Sequence, residues 1–159
     1  PYDLAAGSAE LERTHMGRVY TKYFLRSLRR KISAKRAELA ERIDIEAADT
    51  ARTIREFDDR VTAPLNGFAD ALDYYGRCSS KFFLPRVGVP TLMLHSEDDP
   101  FLPREAVPVA EVGDNPCLTL DLVPGGGHVG FLEGTPWAAR FWADEAAAHF
   151  VAEILDRGR

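Results

Sequence analysis

Two short apolar segments, each followed by a polar loop, constrain the fold of this chain more than any other feature. Residues 89–95 are apolar without alternation, as in a strand buried on both faces, and residues 117–123 alternate leucine with polar residues, as in a strand nearer a sheet edge. The stretches 104–112 and 136–155 have the periodicity of helices, and the second is amphipathic. Strand, helix, strand and helix in this order predict parallel pairing and an α/β fold.

The loops that follow these two strands carry two carboxylates and a histidine. Asp98 and Asp99 come just after the first strand, and His128 follows three glycines after the second. Because the carboxyl ends of parallel strands meet at one sheet edge, we expect these loops to lie close together. A carboxylate bonded to an imidazole fixes its tautomer, and histidine suits general base work near neutral pH. Asp99 and His128 are therefore the candidate catalytic residues.

The residue types alone leave alternatives open at this edge. Asp98 could be the acid in place of Asp99 or could cap the turn, and Asp-Asp-Pro is also an ordinary turn sequence. His128 could be a surface residue of its loop. For His95, at the end of the first strand, a second base or a metal ligand is one interpretation, and a partly buried histidine bonded to backbone is the preferred one. No two histidines have the spacing of a helical metal site, so no metal or cofactor is predicted.

The first half of the chain has a different character and predicts a helical region. Apolar residues recur at helical spacing in three segments, at residues 19–32, 43–60 and 67–78. Residues 82–90 contain two prolines and a glycine, which suits a connection. We therefore divide the chain into a helical region at residues 1–86 and a strand-containing region at residues 87–159.

A basic stretch lies within this helical region. Residues 18–42 hold nine Arg or Lys residues and two Glu residues, a balance of 9 − 2 = +7, whereas the whole chain has a formal net charge of −5. An RNA-binding face or a membrane-surface helix are the functional interpretations. A solvated helix face balanced by acids elsewhere is preferred, and the overall acidic charge argues against nucleic acid as a partner.

Composition adds weaker expectations about class and location. Hydrophobic residues make up 45% and charged residues 28% of the 159 residues, as in ordinary globular domains. No apolar run is long enough to span a bilayer, and the first residues do not resemble a signal peptide. Cys78 and Cys117 match no metal spacing and are expected to be buried free thiols, which favours a cytoplasmic location.

Several motifs together resemble one known family. The loops 98–101 (Asp-Asp-Pro-Phe) and 126–131 (Gly-Gly-His-Val-Gly-Phe), with similar stretches at 18–25, 54–59 and 67–75, resemble the YheT-like branch of the α/β-hydrolases, which includes the ABHD proteins. The resemblance runs over nearly the whole chain, and its motifs occur in the family's order. It implies the C-terminal portion of an α/β-hydrolase fold, parallel strands with flanking helices, plus a helical cap-like insertion.

The same resemblance implies an activity and assigns roles. It implies a serine hydrolase that cleaves a small ester or a lipid, as a short-chain esterase or an acylglycerol lipase does, with Asp99 as triad acid and His128 as triad base. No serine of this chain lies in a Gly-x-Ser-x-Gly context, so the nucleophile is expected before residue 1 and the chain alone is expected to be inactive. The competing hypothesis is a non-catalytic helical binding module with a basic face. Weak membrane-surface contact is left open as a partner interaction, and no oligomeric state is predicted.

Overall fold

The computed structural model describes residues 1–135 and 137–157, and the chain forms two compact units, Pro1–Phe82 and Phe83–Arg159. The first unit is helical. Its helices are α1 (Leu4–Arg13), α2 (His15–Ala34), α3 (Arg36–Leu39), α4 (Ile45–Thr50), α5 (Ile54–Phe57), α6 (Ala63–Leu65) and α7 (Ala71–Cys78). A π turn at Asp58–Thr62 joins α5 to α6, and a 3-10 turn at Ser80–Phe82 follows α7.

Side-chain caps decide where five of these helices begin. A side-chain oxygen at the N-cap accepts a hydrogen bond from a backbone N–H of the first turn, which no helical carbonyl can reach. The capping residues are Asp3, Thr14, Asp44, Thr53 and Asp70. Apolar residues of five elements then form one core, made of Leu25, Ile32, Leu39, Ile43, Ile45, Ala48, Ala51, Phe57 and Val61.

The helix predicted over residues 43–60 is wrong as a single element. The structure ends α4 at Thr50 and turns out of helical geometry at Ala51, where ψ is 129°. The hydroxyl of Thr53 then accepts the N–H of Glu56 and begins α5. Helix α1 lies before the first predicted helical segment, residues 19–32, and Asp3 caps its N-terminus. In both places a capping side chain, rather than the spacing of apolar residues, sets where the helix begins.

The second unit contains the strands. Its elements are a 3-10 turn at Leu84–Arg86, β1 (Thr91–Ser96), a 3-10 turn at Arg104–Ala106, α8 (Val109–Gly113), β2 (Leu118–Val123), β3 (Leu132–Thr135), β4 (Ala138–Phe141) and α9 (Trp142–Arg157). Strands β1 and β2 pair in parallel from Thr91 opposite Leu118 to Ser96 opposite Val123. The predicted parallel pairing is thereby confirmed.

Asn115 fastens the segment before β1 to the start of β2. Its Nδ2 donates to the carbonyls of Leu84 at 2.8 Å and Val87 at 2.9 Å, and its Oδ1 accepts the N–H of Cys117 at 2.9 Å. The residue is 8% exposed, so water has little access to these bonds. The three bonds hold the entry to both strands of the parallel pair.

Two predicted helices of this unit differ from the observed elements. The stretch 104–112 is not one helix, because Pro108 has no N–H to donate and α8 begins only after it. The helix predicted over residues 136–155 begins instead at Trp142, and β3 and β4 form an antiparallel hairpin before it. Asp144 and Glu145 in the first turn favour this start, because acidic side chains stabilise a helix N-terminus. Pro136 lies outside the described residues.

Candidate active site

The carboxyl ends of β1 and β2 bring Asp99 and His128 together. Asp99 lies just beyond β1 and His128 just beyond β2, and the two strands are parallel and adjacent. Nδ1 of His128 lies 2.9 Å from Oδ2 of Asp99, which is hydrogen-bond distance. With the proton on Nδ1, this bond leaves Nε2 of His128 as the ring nitrogen that can accept a proton from another group.

The carboxylate of Asp99 is held from both of its oxygens. Oδ1 accepts the N–H of Phe101 at 2.8 Å, an Asx turn that fixes the side chain against its own backbone, while Oδ2 faces His128. The side chain of Asp99 is 3% exposed and that of His128 is 48% exposed. The ring of Phe101 meets the imidazole edge to face, with centroids 4.7 Å apart. A buried acid thus supports a histidine that reaches solvent.

A glycine turn carries the histidine to this position. Gly126 and Gly127 have φ values of 154° and 65°, which residues with a Cβ rarely adopt. A Cβ on Gly126 would also lie 2.7 Å from Cδ1 of Phe131, whose ring packs against the turn. The N–H of Phe131 donates to the carbonyl of Gly126 at 3.0 Å and closes the loop around His128.

Asp98 has different partners from its neighbour. Its Oδ1 accepts the N–H of Gly127 at 2.9 Å, so Asp98 binds the backbone of the histidine loop and Asp99 binds the imidazole. The hydrogen bond from the Gly127 N–H holds the pKa of Asp98 below its usual value. Of the two carboxylates that the sequence left open, Asp99 has the geometry of an acid partner for His128.

His95 is a third group on the same carboxylate. Its side chain is 9% exposed, and its Nδ1 lies 3.8 Å from Oδ2 of Asp99, the oxygen that also faces His128. Burial lowers the pKa of His95, the charge of Asp99 opposes that shift, and His128 adds to it. The sequence predicted a partly buried histidine bonded to backbone; the structure buries the ring and places it beside Asp99.

Ser96 was not singled out from the sequence, and the structure puts it next to this site. It is 1% exposed, and its hydroxyl donates to the carbonyl of Gly127. The sequence of residues 83–159 contains no other serine. A buried hydroxyl engaged with backbone is not an available nucleophile, so residues 83–135 and 137–157 pair a carboxylate with an imidazole but offer no exposed serine. Its position directly before the acidic turn 97–99 is the sequence feature that would have indicated Ser96 as a site residue.

Metal chemistry has no support among residues 1–135 and 137–157. In these residues no group of three or more His, Cys, Asp or Glu side chains is arranged to hold a metal ion. No helix in the same described part of the chain is long and apolar enough to cross a membrane. The arrangement that stands out at the strand ends is the pairing of an acid with an imidazole.

The chain is similar in sequence to several proteins that are named as esterases or lipases. The chain is 36% identical over 158 residues to the candidate esterase YheT of Escherichia coli K12, covering 98% of this chain and 46% of that protein. It is 35% identical over 153 residues to phospholipase ABHD3 of Mus musculus, covering 96% and 37%. It is 29% identical over 162 residues to a monoacylglycerol lipase of Saccharomyces cerevisiae, covering 98% and 35%.

These matches have a defined extent. The chain spans less than half the length of these curated relatives. No protein-family model matches the chain, and no solved structure matches it significantly.

Proposed function

Because the chain belongs to the YheT-like, ABHD-type α/β-hydrolases and has the α/β fold of their C-terminal part, we propose that it supplies the acid and the base of a serine-type carboxylic ester hydrolase. Asp99 is the proposed acid and His128 the proposed base. The hydrogen bond of 2.9 Å between them at the carboxyl ends of β1 and β2 is the observation that carries the proposal.

The proposed chemistry follows from the two ring nitrogens. Nδ1–H of His128 donates to Asp99, so Nε2 takes the proton of a serine hydroxyl as that serine attacks the ester carbonyl. The imidazolium that forms is stabilised by the buried carboxylate and returns its proton to the leaving alcohol. Water then releases the acid product by the same route.

We place the nucleophilic serine and the oxyanion hole outside residues 1–159. None of the six serines of the chain has flanking glycines in the pattern Gly-x-Ser-x-Gly, and the chain covers under half of each of these relatives. The relatives are named as an esterase, a phospholipase and a lipase, and a small ester or a lipid is therefore the proposed substrate class. The helical unit is proposed as a cap of the active site, as the family resemblance implies. Cys78 and Cys117 are free thiols, but the expectation that both are buried is wrong, because Cys78 is exposed and Cys117 is partly exposed. Their reduced state suits the proposed cytoplasmic location.

The experiment that tests this function uses the full-length protein and a p-nitrophenyl ester. His128→Ala is expected to lower kcat by about three orders of magnitude or more, with KM little changed, because the base acts in the transition state. His149→Ala is the matched control, since His149 is also an exposed histidine near a carboxylate, Glu153 at 3.7 Å. Equal kcat values for His128→Ala and His149→Ala would contradict the assignment of His128 as the base. The chain 1–159 alone is expected to show no turnover above its own His128→Ala variant.

A weak contact with an anionic membrane surface is the proposed partner interaction, and α2 carries it. This helix holds six basic residues and no acidic one. Met16, Val19 and Tyr23 are 55%, 48% and 70% exposed on the same side, at helical spacing. Among the described residues, the exposed cations at positions 18, 22, 26 and 30 form no ion pair within 4.0 Å. Exposed apolar side chains beside cations favour a lipid interface over nucleic acid.

Vesicle sedimentation tests this contact. The pair Arg26→Glu and Arg30→Glu is expected to weaken binding to phosphatidylserine vesicles by tenfold or more, because each basic residue near such a surface contributes about 1 kcal/mol. The pair Arg52→Glu and Arg55→Glu changes the total charge equally on exposed residues outside α2 and is expected to leave binding almost unchanged. Equal losses in both pairs would contradict the proposal. Salt-sensitive RNA binding without vesicle binding would favour the non-catalytic binding module.

A further inference from the structure

Gly127 directly precedes His128, and two side chains, one at the end of β1 and one in the turn after it, bind its backbone. The hydroxyl of Ser96 donates to the carbonyl of Gly127, and Oδ1 of Asp98 accepts the N–H of Gly127 at 2.9 Å. The carbonyl belongs to the peptide that links Gly127 to His128, and the N–H belongs to the peptide before it. The peptide groups on both sides of the Gly127 Cα are therefore bonded, one to the last residue of β1 and one to the turn just beyond it.

Such bonds matter most at a glycine. Gly127 has φ at 65°, and an added Cβ would meet nothing within 4 Å, so no side-chain packing restrains its backbone. A glycine backbone has more conformational freedom than that of any other residue, so fixing it costs more entropy than fixing another residue. The φ and ψ angles of this residue set the direction in which the next side chain, His128, leaves the loop.

We propose that Ser96 and Asp98 are positioning residues that fix the backbone of Gly127 and so aim the imidazole of His128 at Asp99. The inference rests on the proposed function for the role of His128, but its geometry is independent of any nucleophile. Ser96 acts as a buried donor and Asp98 as an acceptor, so the two residues are not interchangeable. Asp98→Asn keeps an oxygen for the Gly127 N–H, whereas Asp98→Ala removes it.

The tautomer of His128 is the direct readout, measured by long-range ¹H–¹⁵N NMR of the chain labelled with ¹⁵N-histidine. His128→Ala assigns the signal. The wild type is expected to show one tautomer, with the proton on Nδ1. Ser96→Ala and Asp98→Ala are each expected to give a mixture of both neutral tautomers, since a loop that moves breaks the bond to Asp99. Asp98→Asn is expected to keep the wild-type spectrum.

Ser79→Ala is the matched control for Ser96→Ala. Ser79 is also 1% exposed, and its hydroxyl also donates to a backbone carbonyl, that of Tyr75, at 2.7 Å. Its replacement removes this buried bond, and also the bond of 3.0 Å that its oxygen accepts from the N–H of Leu4, both in the helical unit. It is expected to leave the His128 spectrum unchanged. Asp98 is exposed, so Asp98→Ala tests the inference without disturbing a packed position.

Two results would overturn the inference. One is a single Nδ1–H tautomer in both Ser96→Ala and Asp98→Ala, and the other is an equal change in Asp98→Asn and Asp98→Ala. In the full-length protein, Ser96→Ala and Asp98→Ala are expected to lower kcat about tenfold with KM unchanged, which is the effect of one lost hydrogen bond. If His128→Ala kept full hydrolysis while the tautomer still depended on Ser96, the positioning inference would stand and the proposed function would fall.

Discussion

Replacing Asp99 by Asn tests the acid assignment with the smallest possible change of shape. The oxygen that accepts the N–H of Phe101 can stay in place, so the Asx turn at 2.8 Å is retained. The other position becomes an NH₂ group 2.9 Å from Nδ1 of His128, where the structure has a carboxylate oxygen. An NH₂ group is a donor, so Nδ1 must become the acceptor and the imidazole proton moves to Nε2.

The size of the effect follows from that tautomer. An imidazole protonated on Nε2 cannot take the serine proton, and it lacks the buried negative charge that stabilises its cationic form. Triad acids replaced in this way lose about 10⁴ in kcat. At 1.36 kcal/mol for each factor of ten, this is about 5 kcal/mol of transition-state stabilisation. Because neither Asp99 nor His128 is assigned to substrate binding, KM is expected to change little.

The assay is hydrolysis of a p-nitrophenyl ester by the full-length protein, with Asp98→Asn as control. Asp98 accepts the N–H of Gly127 at 2.9 Å, and an amide oxygen can replace that acceptor. Asp98→Asn is therefore expected to keep kcat within about threefold of the wild type, a smaller change than the loss of one hydrogen bond causes. A severe Asp98→Asn and a mild Asp99→Asn would move the acid by one residue. If both were mild, the acid would lie elsewhere.

Three further predictions concern stability and the loop. Asn115→Ala loses three buried hydrogen bonds and is expected to cost about 3 kcal/mol in urea unfolding, so a cost under about 1 kcal/mol would contradict the account. Burial lowers the pKa of His95 more than the charge of Asp99 raises it, so below about pH 6.5 the unfolded chain binds more protons than the folded one. The melting temperature is therefore expected to fall as the pH drops below about 6.5, and His95→Gln is expected to reduce this pH dependence. Gly126→Ala is expected to lower the melting temperature and to broaden the NMR signal of the His128 ring, because the added Cβ would lie 2.7 Å from the ring of Phe131. An unchanged melting temperature would refute this.

The parallel strand pair was predictable because the order of the apolar segments allows few arrangements. Two apolar runs separated by a helical stretch leave few arrangements in one sheet, and the observed register pairs residues 91–96 with 118–123. The proximity of the two loops follows from that topology. The catalytic roles of Asp99 and His128 stay predictions, since geometry alone does not measure turnover.

Element boundaries were less predictable, because single side chains set them. Thr53 restarts a helix inside an apolar pattern that reads as continuous. The hairpin before α9 has strands of four residues whose side chains are all exposed, so no buried alternation marks them in the sequence. The partners of Ser96 and Asp98 depend on a left-handed glycine 29 or more residues away, which local patterns do not encode.

The π turn at Asp58–Thr62 has a consequence for chain length. It holds one residue more than an α-helical turn needs, and the Thr62 hydroxyl spans it to reach Asp58 Oδ1 at 2.6 Å. Deleting one residue here lets the turn tighten into an ordinary helical one while α5 and α6 keep their faces. The same deletion in the middle of α2 would rotate everything after it by about 100° and carry Ile32 out of the core. Homologous chains that differ by a single residue in the helical unit are therefore expected to gain or lose it between α5 and α6.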